Sequence, residues 1–245
     1  MALLQLNGVT KRFGGLLAVD HVSLEIHSDE AVSIVGPNGS GKTTLFNLIS
    51  GVYTPDEGTL IFDGRDITRL PPYRRAHLGI GRTFQIPRPF GTLTVRENVA
   101  IGAMFGSLGA QKRVDDALKA ADERLKLVGF YEQRNRPARE LTPVEMKMME
   151  IARALAMNPK LLLLDESMAG MPPKEIDTLV AFLKSIKQKE GLAVIMVEHI
   201  MRAVVNFAER VIVLYQGKKM LEAPTAEALS DPRVVDVYLG RESEQ

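Results

Sequence analysis

The sequence predicts an α/β fold in which a largely parallel sheet is covered by helices on both faces. Two observations carry this. Short β-branched or leucine-rich runs at residues 31–35, 161–164, 193–197 and 211–214 alternate with stretches of helical apolar spacing, the pattern left by parallel strands joined through crossover helices. A glycine-rich turn also sits between the first of these runs and a helical stretch, where open α/β sheets carry their ligand-binding loops.

Taken in order, residues 3–9 and 21–26 alternate apolar and polar side chains, as half-buried strands do. Asp29-Glu30 turns the chain into the buried strand Ala31-Val32-Ser33-Ile34-Val35. Residues 42–50 have helical spacing, and the turn-rich segment 51–64 encloses the strand Thr59-Leu60-Ile61-Phe62. The segment from Ile86 to about Glu140 differs. It opens with Pro87 and Pro89 and places Leu118, Leu125 and Val128 at roughly helical spacing, which reads as a helical insertion in the α/β core. A further helix begins at Thr142. The strand 160–164, the helix 173–190, the strand 193–197, the helix 201–208 and the strand 211–214 complete the core.

Composition narrows the class. The chain has 245 residues, 45% hydrophobic and 25% charged, which excludes wholesale disorder and collagen-like repetition. Lys and Arg number 31 against 30 Asp and Glu, and no long basic run is present, so no nucleic-acid partner is expected. The absence of Cys excludes disulfides, thiolate metal sites, iron–sulfur clusters and a Cys nucleophile. No apolar run approaches the roughly 18–20 residues that span a bilayer. The first residues lack a charged leader followed by an apolar core, so no signal peptide is expected.

Gly36-Pro37-Asn38-Gly39-Ser40-Gly41-Lys42-Thr43 fits G-x-x-x-x-G-K-[ST] between a predicted strand and a predicted helix. Glycines let the backbone curl so that successive N–H groups face phosphate oxygens, and the helix N-terminus adds its positive end. Lys42 is placed to reach the β- and γ-phosphates, and the Thr43 hydroxyl to ligate Mg²⁺. This pattern predicts a site for a nucleoside triphosphate such as ATP. Further along, the strand 161–164 ends in Asp165-Glu166. Asp165 is placed to hold Mg²⁺ through water, and Glu166 to polarise the attacking water as general base. Alone, such a pair could equally cap a helix.

The phosphate loop, Leu163-Leu164-Asp165-Glu166, Gln85 and Val197-Glu198-His199, in that arrangement along one chain, resemble an ABC-transporter ATPase subunit. Residues 11–19, Gly79-Ile80-Gly81-Arg82-Thr83-Phe84-Gln85, Glu198-His199-Ile200-Met201 and the closing Tyr238-Leu239-Gly240 are most similar to the ATPase subunits of branched-chain amino-acid importers, a branch that also handles urea and short amides. The resemblance implies one ABC ATPase domain over residues 1–245: a RecA-like P-loop NTPase core with an antiparallel β region (1–85 and 158–225), an inserted α-helical subdomain (86–157) and a C-terminal tail (226–245). It implies that Phe13 lies against adenine, that residues Gly36 to Thr44 hold the phosphates, that Gln85 senses Mg²⁺ and the attacking water, and that His199 holds the γ-phosphate and Glu166. It also implies membrane permease subunits as partners, received around residues 86–99, a second ATPase subunit in a homo- or heterodimer, and a solute-binding protein indirectly. The place of work would be the cytoplasmic face of the inner membrane, peripherally attached.

Two departures stand against that pattern. The family signature, usually Leu-Ser-Gly-Gly-Gln, is here Leu141-Thr142-Pro143-Val144-Glu145. In the family it closes over the ATP of the opposite chain; Pro143 offers no N–H, and Val144 puts a branched side chain where glycine lets phosphate approach. Thr142-x-x-Glu145 with Pro143 between them is also an ordinary capping box. The loop after Glu166 departs too, reading Ser167-Met168-Ala169-Gly170-Met171-Pro172-Pro173. Residues serving the chain's own ATP are therefore expected to be intact and those serving a partner's ATP degraded, which favours an asymmetric ATPase pair. A non-hydrolysing regulatory subunit and a soluble ABC ATPase are the alternatives.

Overall fold

The computed structural model describes residues 2–107 and 113–239. Two long strands, β1 (Ala2–Phe13) and β2 (Leu16–His27), form a hairpin, followed by β3 (Ala31–Val35), which is buried throughout. Helix α1 (Lys42–Ser50) leads to β4 (Glu57–Phe62), β5 (Arg65–Asp66), α2 (Pro72–Leu78) and β6 (Ile80–Arg82). The α-helices α3 (Val95–Phe105), α4 (Val114–Leu127) and α5 (Pro143–Ala156) follow. The chain then returns through β7 (Leu161–Asp165), α6 (Pro173–Glu190), β8 (Ala193–Val197), α7 (Met201–Phe207), β9 (Arg210–Tyr215), β10 (Lys218–Pro224), α8 (Thr225–Ser230) and α9 (Pro232–Leu239).

The strands form an antiparallel sheet in the order β2-β1-β4-β5 and a six-stranded sheet in the order β10-β9-β3-β8-β7-β6. In the second sheet β9, β3, β8, β7 and β6 run parallel, and only β10 is antiparallel. Because successive strand residues point to opposite faces, β7 divides its leucines. Leu161 and Leu163 join α1 and the antiparallel sheet in one core, with Leu4, Leu24, Phe46 and Phe62. Leu162 and Leu164 face the other way, into a core shared with Val99, Leu125, Ile151 and Leu183 from α3, α4, α5 and α6. A third cluster joins Val35, Val211 and Val213 to Val204, Ala228 and Val234, so α8 and α9 pack on the sheet's end. Gly240 of the closing tripeptide lies outside the described residues.

Several elements extend beyond the pattern read from sequence. β1 and β2 continue past residue 9 and begin before residue 21, and register shifts between Leu6 and Val9, Val9 and Lys11, and Lys11 and Arg12 interrupt the alternation there. The strand β10 carries Lys218, Lys219 and Pro224, residues that suit an edge strand and hide a period of two. Gln85 lies three residues beyond β6, in a bend.

One buried cation anchors α1 beneath the phosphate loop. Arg75 is 1% exposed and donates to the carbonyls of Leu48 and Ile49 at the end of α1, and to those of Leu70 and Thr68. It thereby satisfies carbonyls that a helix end leaves without partners. Arg75→Met keeps much of the side-chain volume and removes the donor from these carbonyls, of which Leu48 retains the Gly51 N–H, so it is expected to cost about 3 kcal/mol of stability in denaturant unfolding. A loss below about 1 kcal/mol would contradict this account of α1.

Candidate nucleotide site

The carboxyl ends of β3, β7 and β8 bring the candidate residues together. Between β3 and α1 the phosphate loop curls tightly. Gly36 has φ +147°, and a Cβ there would meet the Leu214 carbonyl at 2.1 Å; at Gly41, φ +102°, it would meet the Ala18 carbonyl at 2.4 Å. Only glycine fits either position. A cleft of about 460 Å³ opens here, lined by Asn38, Gly39, Ser40, Gly41, Lys42, Thr43 and Thr44, and by Phe13, Glu166, His199 and Gln216. That is the size of a small-molecule site.

Lys42 is buried, and its ammonium donates to the carbonyls of Gly36 at 2.7 Å and Pro37 at 2.8 Å. Burial pulls its pKa below the ordinary lysine value, while Glu166 and Asp165 act in the opposite sense. Ser40 Oγ is buried with no hydrogen-bond partner among the described residues. A buried, unpartnered hydroxyl, a buried cation and the N-terminus of α1 on one loop fit an oxyanion ligand. Phe13, 41% exposed, stands at the rim with its ring 5.1 Å from that of Tyr53 in an edge-to-face arrangement.

Glu166 follows the end of β7 with φ +45°, an uncommon conformation for a residue with a side chain, and its N–H donates to the Val197 carbonyl at 2.9 Å. Its two carboxylate oxygens are divided: Gln85 Nε2 donates to Oε2 at 2.6 Å, and His199 Nε2 lies 3.1 Å from Oε1. Two predicted residues, Gln85 and His199, which lie 81 and 33 positions from Glu166, thus meet at its carboxylate. Gln85 reaches the cleft through Glu166 rather than lining it.

Asp165 is buried and held by Arg82, whose Nη2 lies 2.8 Å from Oδ2. Burial pushes the Asp165 pKa up, and the Arg82 guanidinium and Lys42 oppose that push. Sequence reasoning missed Arg82 as a partner, as it missed Lys147 and Glu198. Lys147 Nζ donates to the Ala169 carbonyl at 2.5 Å and the Glu166 carbonyl at 3.3 Å. Glu198 accepts the Met168 N–H at 2.8 Å. Arg82 and Glu198 both stand inside short segments singled out in the sequence, but nothing in a linear pattern indicates which distant group they meet.

The residues Leu141 to Glu145 do not line this chain's cleft. They form the start of α5, where a complete capping box is present: Glu145 N–H donates to Thr142 Oγ1 at 3.3 Å, and Thr142 N–H to Glu145 Oε2 at 2.8 Å. Pro143 occupies the first turn, Leu141 is buried, and Val144 packs against the helical core. The charge of Glu145 is offset by Arg136, whose Nη1 lies 2.8 Å from Oε1.

A strand–loop–helix phosphate cradle opposite a strand-end Asp-Glu pair defines a P-loop nucleoside triphosphatase. The ABC transporter family model matches residues 19–169. The chain is 34% identical over 249 residues to the high-affinity branched-chain amino acid transport ATP-binding protein BraF of Pseudomonas aeruginosa, covering 97% of this chain and 98% of that protein. It is 36% identical to LivG, the corresponding protein of Salmonella typhimurium, with the same coverage. An ATP-binding cassette of an ABC transporter, solved in its ADP conformation, superposes with a TM-score of 0.88 at 35% identity, over 98% of this chain and 99% of that one. A dimeric cassette in a post-hydrolysis state bound to ADP and phosphate superposes at 0.82 with 29% identity, over 91% of this chain and 98% of that one. This chain belongs to the ABC transporter ATPases and carries their nucleotide-binding cassette. Among the described residues no helix is long and apolar enough to cross a membrane.

Glu198 gives the site a measurable pH signature. It is 1% exposed, and burial pushes its pKa from 4.5 up to about 7. Between those values the folded chain holds a proton that the unfolded chain has released, so stability falls as pH rises through the window. Glu198→Gln keeps an acceptor for the Met168 N–H and removes the titration. Denaturant unfolding from pH 4.5 to 8 should show the native chain losing on the order of 2–3 kcal/mol more than the variant. Parallel pH profiles would rule this out.

Proposed function

We propose that this chain binds and hydrolyses ATP to energise a membrane permease importing branched-chain amino acids or related small solutes such as urea and amides, as one member of an asymmetric ATPase pair. The observation that carries the reading is the Glu166 carboxylate, held between Gln85 and His199 at the mouth of the phosphate cleft. The solute class rests on the names of the relatives, BraF and LivG.

In this reading the loop from Gly36 to Thr44 binds the phosphates, and Phe13 offers its face to the adenine. Mg²⁺, when bound, would draw charge from the β- and γ-phosphates; Thr43, Asp165 and Gln85 supply the hard oxygen donors that suit it. Glu166 takes the proton of the attacking water, and His199 keeps the carboxylate oriented and contacts the γ-phosphate. The permease subunits are received near residues 86–99 at the cytoplasmic face of the inner membrane, and a solute-binding protein takes part only through them.

The start of α5 supports the asymmetry. Pro143 has no N–H to offer, Val144 adds a branched Cβ, and the Thr142 hydroxyl is oriented toward its own helix by the N–H of Glu145. A signature built this way presents a partner's ATP with fewer donors, and one lost transition-state donor costs about 10²–10³ in rate. The chain's own ATP would be turned over against the intact signature of a different ATPase subunit.

Steady-state ATP hydrolysis by the purified chain tests this. The native chain alone should be nearly silent, and the Pro143→Gly, Val144→Gly double substitution should raise its rate at least tenfold. Adding Glu166→Gln to that double variant should abolish the gain. A native chain as active as the double variant would end the asymmetric reading. A double variant that stays silent would favour a nucleotide-binding regulator.

A further inference from the structure

Residues 67–96 carry Arg69, Arg74, Arg75, Arg82, Arg88 and Arg96 and no Asp or Glu, in a chain whose net charge is +1. Only Arg74 and Arg75 are adjacent, so the sequence shows no basic run. Folding commits half of these arginines to other groups. Arg75 is buried among carbonyls, Arg82 holds Asp165, and Arg96 holds Asp122. Arg69, Arg74 and Arg88 stay exposed, as does Arg65 on β5. None of these four side chains forms an ion pair within 4.0 Å among the described residues.

Helix α2 gathers them. Its buried Arg75 points toward α1, which leaves Tyr73, Arg74 and His77 on the outer face, all exposed. Arg88 lines, with Pro72 and Ala76, an apolar groove on one flank of α2; Arg65 lines, with His77 and Leu78, a cleft on the other. Arg69 precedes the helix by three residues. The neighbouring carboxylates are already taken. Asp63 lies 2.6 Å from Lys160 and is also faced by Arg65, Asp66 accepts from Thr68 N–H and is faced by Arg69 and Arg75, and Glu190 is paired with Arg124. The ridge therefore presents uncompensated positive charge around Tyr73, which is 60% exposed. A helix face that serves solubility alone mixes both signs, as α6 does with Lys174, Glu175, Asp177 and Lys184.

We propose that the outer ridge of α2, with Arg69, Tyr73 and Arg74 at its centre and Arg65 and Arg88 at its flanks, rests on the anionic headgroups of a lipid bilayer. Guanidinium groups match phosphate oxygens in charge and in fork geometry. Each basic residue held near an anionic leaflet raises partition roughly fivefold. A tyrosine between them places an apolar body and a polar tip at the boundary, as interfacial side chains do. The choice of a bilayer among polyanions rests on the reading that permease subunits are received near residues 86–99. Arg88 belongs to that segment and adjoins α2, so a permease seated there brings headgroups alongside the ridge. The apolar groove is not part of this contact.

The test is co-sedimentation of the full chain, without permease, with vesicles of mixed phosphatidylglycerol and phosphatidylcholine and with vesicles of phosphatidylcholine alone. At low salt the native chain should partition onto the anionic vesicles at least tenfold better than onto the neutral ones. It should lose that preference in about 1 M salt, where the screening length is about 3 Å. Arg69→Gln with Arg74→Gln should cut the anionic partition at least tenfold. Lys184→Gln with Lys189→Gln removes the same charge from exposed positions of α6 and should leave the partition within twofold of native. All four substitutions are on the surface, and unchanged melting temperatures check the fold. No preference for anionic vesicles, or equal losses from the two pairs, overturns the proposal. So does a single-stranded oligonucleotide bound through Arg69 and Arg74 by a chain that ignores vesicles, which assigns the ridge to nucleic acid. Neither arginine lines the nucleotide cleft, so ADP affinity by calorimetry should stay within twofold of native in both pairs. A native chain that binds no ADP removes the ATPase reading, a different failure from a chain that binds ADP and ignores anionic vesicles.

Discussion

The site depends on the register of the parallel sheet. Ile34 pairs with Val197, and Val197 with Asp165, so β3, β8 and β7 finish level with one another. The chain leaving β3 becomes the phosphate loop, the chain leaving β7 begins with Glu166, and the chain leaving β8 begins with Glu198-His199. The hydrogen bond from Glu166 N–H to the Val197 carbonyl locks the second exit to the third. A shift of one residue in any of these pairings would turn the functional side chains to the opposite face.

Around that edge, charged groups are buried in specific company rather than excluded. Asp165 faces Arg82, Lys147 donates to two carbonyls of the segment after β7, and Glu198 accepts from Met168. Each bond ties the segment 165–171 to a different element: β6, α5 and the end of β8. Breaking one would leave a buried charge or carbonyl without a partner, which costs more than the intact bond contributes. The segment between Glu166 and Pro172 is therefore held from three sides. Its methionines at 168 and 171 add to this by entering the helical core.

What could be read from the sequence followed contiguity. The phosphate loop is eight consecutive residues, the strand-end Asp-Glu is a continuous run, and α6 and β8 carry unbroken apolar periodicity, so each was legible with its chemistry. The cap of α5 was also legible, because Thr142 and Glu145 are three residues apart and their bonds are local. The partners of those groups were not. Arg82 and Asp165 are 83 residues apart, and Glu198 and Met168 are 30; only the fold decides that they meet. The three-residue strand β6 and the seven-residue helix α2 are too short for a period to register. In the first hairpin the register shifts broke the alternation that would have shown its full length.

The chain pairs a nucleotide site whose own residues converge with a signature segment folded as a closed capping box. The proposed asymmetric pairing rests on these two features: the chain would close over ATP with a different subunit, not with a copy of itself. The most direct test is the mass in solution of the hydrolysis-arrested Glu166→Gln chain, by sedimentation in the presence of Mg²⁺ and ATP. The account predicts a monomer that becomes an ATP-dependent dimer only when Val144→Gly and Pro143→Gly are added. An ATP-dependent dimer formed by Glu166→Gln alone would contradict it, because the native signature would then be able to close.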